Sequence, residues 1–188
     1  MNHPLSEREK KLIPFYDSID TGCPPCDNVK KLVRDLEGWG IPIFGAVLDM
    51  GCGHGRFARG VQNLPLVRNV LGVDYSPKRI DRAKNLNENK NTDFRVGSIY
   101  DGVEGKWDTI AVFETLEHLE DPRTAISALV RCLSDRGNMF GSLPINNAYK
   151  SHLRVWKDLG EITREFPFFR ALDYRVEGHP YILWSYIR

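Results

Sequence analysis

The stretch Ala46–Ala58, A-V-L-D-M-G-C-G-H-G-R-F-A, decides how the chain is read. Ala46, Val47 and Leu48 form a short apolar run, the mark of a central strand covered on both faces. Asp49 closes the run, and Gly51, Gly53 and Gly55 follow at alternate positions. Glycine takes positive φ and lets a ligand approach where a Cβ would block it. Arg56-Phe57-Ala58-Arg59 restores helical character, so the turn opens onto a helix N-terminus with unpaired N–H groups.

A second apolar run, Val70-Leu71-Gly72-Val73-Asp74, also ends in an acid. It lies roughly 20 residues past the glycine turn, the spacing at which a Rossmann-type unit places a carboxylate on a ribose hydroxyl. The turn reads G-x-G-x-G with an acid two residues before it, unlike the G-x-G-x-x-G of dinucleotide binders. That suits a nucleoside without a pyrophosphate and with a cationic amino-acid tail. At V-L-D-M-G-C-G-H-G and G-V-D-Y-S the chain resembles the class I S-adenosylmethionine (SAM)-dependent methyltransferases. The competing readings are a glycine turn of an unrelated α/β protein and a nicotinamide site.

The chain has 188 residues, enough for one domain with a real core: a helical cap over 1–40 and a Rossmann-like core over 41–188. A hydrophobic share of 41% and a charged share of 27% are those of an ordinary globular protein. With a net charge of +1 there is no global field towards nucleic acid or anionic membrane. The sequence has no apolar run of bilayer-spanning length and no apolar secretion signal in M-N-H-P-L-S-E-R-E-K-K, so a cytoplasmic protein with no membrane partner is expected. Cys23 and Cys26 form a C-P-P-C that lacks the second ligand pair of a zinc site, and it reads as a structural loop. Cys52 sits in the glycine turn, beside the expected ligand, and Cys132 lies on a helix.

Strands and helices alternate along the chain, which predicts a mostly parallel, doubly wound sheet. Ser6 and Glu9 have capping-box spacing for a helix over 6–20, kinked at Pro14, and Tyr16 is a candidate pocket residue. Val29, Leu32, Val33 and Leu36 define a second helix that ends at Gly38 and Gly40. Crossover helices are expected at Arg56–Leu64, Pro77–Asn87 and Arg123–Leu133. Strands are expected at Asp93–Gly97, Trp107–Phe113 and Asn138–Leu143. A helix over Leu153–Phe166 follows a short connection with no large lid. Phe168–Val176 and Tyr181–Ile187 read as an antiparallel hairpin. The resemblance implies a seven-stranded sheet with this hairpin last. It also implies N-terminal helices across the SAM cleft.

F-E-T-L-E-H-L-E-D-P follows the fourth predicted strand, where ligands of open α/β sheets bind. It resembles the E-x-x-E-H-L of the methyltransferase group that includes the ubiquinone-biosynthesis O-methyltransferases. Glu114, Glu117 and His118 have three readings. His118 is a general base for a hydroxyl acceptor, titrating near neutrality. The three together hold a divalent cation, with His152 or His179 as a further ligand, as in small-RNA 2′-O-methyltransferases. Or Glu117 caps a turn and His118 packs without chemistry.

By the resemblance, Gly51, Gly53 and Gly55 admit the methionine end of SAM, and Cys52 lies beside it. Asp49 organises the loop and the methionine amine. Asp74 binds the ribose, and Tyr75 and Ile99 flank the adenine. Ser98 stands where the family commonly has an adenine-binding aspartate, and Phe113 with Glu114 floors the sulfonium end. The acceptor is expected over His118, Asn146 and the N-terminal helices. The function read is methyl transfer to an O or N acceptor, most simply a small molecule, by a monomer or homodimer. A metal-assisted RNA methyltransferase and a SAM-binding protein without catalysis are the alternatives. For the first, Arg164, Arg170, Arg175 and Arg188, interleaved with Phe166, Phe168, Phe169 and Tyr174, offer a nucleic-acid surface.

Overall fold

Val47 and Leu48 turn to opposite faces of the sheet, as the period of two requires, and each face has its own core. Val47, Ala111 and Phe140 pack with Val29, Val33, Leu36, Ala58 and Ile80 on one side. Leu48, Ile110, Val112 and Met139 pack with Ala125, Ile126, Leu129 and Trp184 on the other. A buried side chain of this size stabilises the fold by roughly 1.5–3 kcal/mol relative to its exposed state. These two layers of helix hold a doubly wound sheet.

The structure, a computed structural model, describes residues 5–18, 27–176 and 179–186; side chains at 16, 18, 27, 28, 175, 176, 179 and 180 lie outside that description. Cys23, Cys26, Arg188 and the side chains of Tyr16, Arg175 and His179 therefore fall outside it too. The chain runs α1 (Glu7–Ser18), α2 (Asp27–Gly38), β1 (Gly45–Met50), α3 (Arg56–Val61), β2 (Val67–Asp74), α4 (Pro77–Asn85), β3 (Thr92–Val96) and β4 (Trp107–Phe113). It continues α5 (Pro122–Cys132), β5 (Leu133–Pro144), α6 (Leu159–Glu165), β6 (Phe169–Val176) and β7 (His179–Tyr186). The seven strands order as β3-β2-β1-β4-β5-β7-β6. The first five are parallel, and β7 is antiparallel to both neighbours. No helix among the described residues is long and apolar enough to cross a membrane.

The capping box forms as predicted: Ser6 N–H donates to Glu9 Oε2 at 2.7 Å, and Glu9 N–H donates to Ser6 Oγ at 3.1 Å. Two expectations fail beyond Pro144. The helix expected from Leu153 begins only at Leu159, capped by Asp158. The short connection is instead the whole segment 145–158, drawn back over the sheet. Leu153 and Arg154 N–H donate to the Glu117 carbonyl at 2.8 and 3.1 Å, and Ile145 bridges to Trp156. These long-range bonds outcompete a local helix. The arginine–aromatic stripe near the end also differs from expectation. Phe166 and Phe169 are buried in the core and Phe168 packs on it, while Arg170 stacks 4.8 Å above the Trp39 ring. The rings serve packing, not an open stacking surface.

Candidate active site

The carboxyl ends of β1, β2 and β4 meet at one cleft, the place where a doubly wound sheet binds its ligand. Gly51, Asp74, Tyr75, Ile99, Glu114 and His118 line it, all predicted site residues. Leu5, Met50, Val73, Arg79, Gly97, Thr115 and Leu119 line it as well and were not predicted. Gly97 and Thr115 carried a signal, since each follows a strand end. Leu5 and Leu119 carried none. Larger hollows lie elsewhere, of about 800 Å³ beside Arg154 and Trp156 and about 710 Å³ along β2 and β3. The first is open surface away from these strand ends, and the second is open surface that reaches Val73 and Gly97 beside the cleft.

Asp74 is 5% exposed, and both its oxygens face the turn: Oδ2 accepts from Gly53 N–H and Oδ1 from Ser76 N–H, each at 2.9 Å. Burial pushes its carboxyl up, against the pull of those N–H groups and of Arg79. A carboxylate has about four lone-pair sites, so two hydroxyls can add to these bonds. Asp49 points to the other side and accepts from Ala58 N–H at 3.1 Å, tying β1 to the first turn of α3. Burial pushes it up to about 7.

The remaining predicted residues stand behind the cleft. A Cβ on Gly72 would lie 3.0 Å from Cys52 Sγ, so that thiol packs on β2. Gly53, at φ +53, has open space where a Cβ would be, with Arg79 Nη1 nearest at 3.7 Å. Gly55 caps α3 at φ +73, where a Cβ would sit 2.4 Å from the Phe94 ring. Gly55→Ala is therefore expected to cost roughly 1–3 kcal/mol of stability, checked by urea unfolding; an unchanged midpoint would show that Phe94 yields freely. Ser98 accepts from Tyr100 N–H at 3.3 Å and caps a short turn, and Phe113 packs at tilted, edge-on angles against Phe57 and Phe140.

After β4 the chain enters Glu114 at φ +46, a conformation that costs a non-glycine residue energy and clusters at functional sites. Its Oε1 accepts from Ser142 Oγ at 2.6 Å, and burial pushes its carboxyl up to about 7. Glu117 is fully buried, and neither carboxylate oxygen has a hydrogen-bond partner among the described residues. Burial, then the neighbouring Glu114, push it well above the usual range. The segment 145–158 covers His118: Nδ1 lies 3.0 Å from the Ser151 carbonyl, and the His152 ring sits at 5.0 Å. Burial there pushes His118 down to about 4, so it is neutral at pH 7 and a weaker base than an imidazole titrating near neutrality. His152 Nδ1 likewise lies 2.8 Å from the Asn147 carbonyl. A carbonyl only accepts, so each Nδ1 is the donor. Glu117, His118 and His152 bring ligand atoms within 4.8 Å of one another, and His118 Nε2 is 3.6 Å from Glu117 Oε1.

α1 straps the cleft. Glu9, 3% exposed, accepts from the Tyr100 hydroxyl at 2.5 Å and from Glu120 N–H at 3.0 Å. Ser76 Oγ donates to Asp17 at the other end. With the strap closed the cleft holds about 50 Å³, against roughly 300–1,000 Å³ for a site that encloses a small ligand.

Strand order, glycine turn and acid-ended second strand define a nucleoside-binding class of doubly wound α/β protein. The chain belongs to the methyltransferase domain family, whose model matches residues 22–179. It is 35% identical to a ubiquinone biosynthesis O-methyltransferase of Dechloromonas aromatica over 137 residues, 69% of this chain and 57% of that protein. A counterpart from Xanthomonas oryzae is 32% identical over 50% of this chain and 41% of its own length, so the chain spans about half the length of these relatives. In structure it is similar to the N-methyltransferase NodS of Bradyrhizobium japonicum, solved with S-adenosylhomocysteine, at TM-score 0.70 and 18% identity over 96% of this chain and 98% of that one. It is also similar to the magnesium protoporphyrin IX methyltransferase of Synechocystis, solved with SAM, at TM-score 0.67 and 18% identity over 99% and 100%. These two likenesses concern the fold.

Proposed function

We propose that the protein is a SAM-dependent methyltransferase that acts on the oxygen or nitrogen of a small molecule. The observation that carries this is the cleft at the ends of β1, β2 and β4, where Gly51, Asp74, Tyr75, Ile99 and Glu114 converge in a chain of the methyltransferase family. Bound SAM supplies an electrophilic methyl group on a sulfonium. Asp74 grips the ribose hydroxyls while holding the turn through Gly53 and Ser76. Tyr75 and Ile99 flank the adenine. Gly53, where a Cβ would meet only Arg79, leaves room for the methionine end, while Gly51 admits the Thr115 side chain. Asp49, Cys52, Gly55 and Ser98 shape the loop from behind, and Phe113 and Glu114 floor the reacting end. Methyl transfer is an in-line displacement, so alignment is the main contribution of the residues around Glu114, Glu117 and His118. Calorimetric titration with S-adenosylhomocysteine, then a radiolabelled-methyl screen over acceptor pools, tests the reading. Absence of binding would sink it.

One cluster favours a second, metal-assisted version. Glu117 offers oxygens without a hydrogen-bond partner among the described residues, while His118 and His152 have their Nδ1 atoms set on carbonyls, which leaves Nε2 as the ligating atom of each. Carboxylate with imidazole fits Mn²⁺, Zn²⁺ or Mg²⁺, and such a cation would polarise an acceptor hydroxyl. Expected on this version is Mn²⁺ uptake by the protein in calorimetry, lost in His152→Ala, with turnover collapsing in EDTA. A flat Mn²⁺ titration would return His118 to an orienting role.

A further inference from the structure

A second cavity lies on the α2 side of the sheet. Leu32, Phe113, Ser142, Tyr174, Tyr181 and Leu183 line it, together with Glu114. The register explains the row: Phe113 pairs with Ser142, Ser142 with Leu183, and Tyr174 with Tyr181, so these side chains share one face. α2 roofs it and is tied down at the far edge, where the Tyr174 hydroxyl donates to Asp35 Oδ2 at 2.5 Å and Lys31 Nζ lies 3.3 Å from Tyr174. Among the described residues Glu114 alone lines both this chamber and the cleft. Two cavities meeting at one carboxylate is the arrangement a two-substrate displacement needs, with donor on one side and acceptor on the other.

We propose that the methyl acceptor binds in this chamber as a neutral, single-ring, largely apolar molecule whose hydroxyl donates to the Glu114 carboxylate. The inference rests on the reading of the cleft as the SAM site. The chamber measures about 140 Å³, close in size to an enclosed Leu-, Ile- and Phe-lined cavity of about 150 Å³ that takes up benzene. None of the lining residues is Lys or Arg, and Lys31 at the far edge is already paired with Asp35, so a phosphate-bearing acceptor finds no unshared counter-charge there. Ser142 occupies one lone pair of Glu114 Oε1, which leaves acceptor sites for an incoming hydroxyl. In the transfer the acceptor oxygen gains the methyl group and the carbon–sulfur bond breaks with its electron pair going to sulfur. The hydroxyl proton passes to Glu114. Of the expected approach over His118, Asn146 and the N-terminal helices, this proposal keeps the helices, with entry beneath α2.

The test uses the full chain saturated with S-adenosylhomocysteine, with phenol and toluene as probes followed by ligand-observed NMR. Phenol is expected to bind at about 1 mM, as small fragments do, and more tightly than toluene. Leu32→Trp fills the chamber; it should weaken phenol at least tenfold and leave S-adenosylhomocysteine affinity within about twofold. Glu114→Leu, checked for folding by circular dichroism, should abolish the preference for phenol over toluene. Phenol binding unchanged in Leu32→Trp, or none by the wild-type complex up to about 10 mM, overturns the chamber. A preference that survives Glu114→Leu overturns the hydrogen bond. A chain that never binds S-adenosylhomocysteine brings down the SAM reading itself, an outcome visible before any phenol is added.

Discussion

Asp74→Ala is expected to lower affinity for S-adenosylhomocysteine about a hundredfold in calorimetric titration. Hydrogen bonds to a charged group are worth roughly 1.5–3 kcal/mol each, and the ribose offers two donors. The carboxylate also holds Gly53 and Ser76 N–H, so its removal loosens the turn at the same time. Asp74→Asn separates the effects. It keeps one carbonyl acceptor and loses the charge, and its affinity should fall between wild type and alanine. Wild-type affinity in the alanine variant would remove Asp74 from the ligand's contacts.

The ligand-free protein should lose stability as pH rises from 5 to 8, the reverse of the usual carboxylate effect. Burial raises Asp49 from its ordinary 3.8 to about 7. Between those values the folded chain keeps a proton that the unfolded chain has released, so the slope of stability against pH is negative. The contribution is complete below about pH 4 and is lost as pH climbs through about 7. A difference of about three pKa units corresponds to roughly 4 kcal/mol for Asp49. Glu114 moves in the same direction, while His118, pushed from 6.5 down to about 4, opposes it up to about pH 6.5 and offsets part of the slope there. Asp35 and Asp108, which lie below the ordinary range through their hydrogen bonds to Lys31 and to Ala46 N–H, act only in more acid solution. Urea unfolding at half-unit pH steps reads the slope. Asp49→Asn keeps an acceptor for Ala58 N–H and should flatten it, with a gain in stability at pH 8. A wild-type curve that rises across this window would contradict the argument.

The fold was legible because its signals are local. Ala46–Leu48 and Val70–Val73 are apolar runs between turn residues, and Trp107–Phe113 matches its strand end to end. Ser76-Pro77 announces α4, whose Ser76 Oγ accepts from Arg79 N–H. The site was legible only in part, since glycine spacing does not say what a missing Cβ makes room for. Gly53 leaves open space, whereas Gly51 makes room for Thr115 and Gly55 for Phe94. His152 joins Glu117 and His118 only because 145–158 folds back through the Glu117 carbonyl, a contact with no local signature. The α2-side chamber draws on a helix and four strands, so it exists only once the sheet is assembled.

The strap over the cleft has a kinetic corollary. On the proposed function, Glu9 releases Tyr100 and Glu120 before one nucleoside is exchanged for the next. Where that release is the slow step, a viscous solvent is expected to retard every acceptor alike, whatever its intrinsic reactivity.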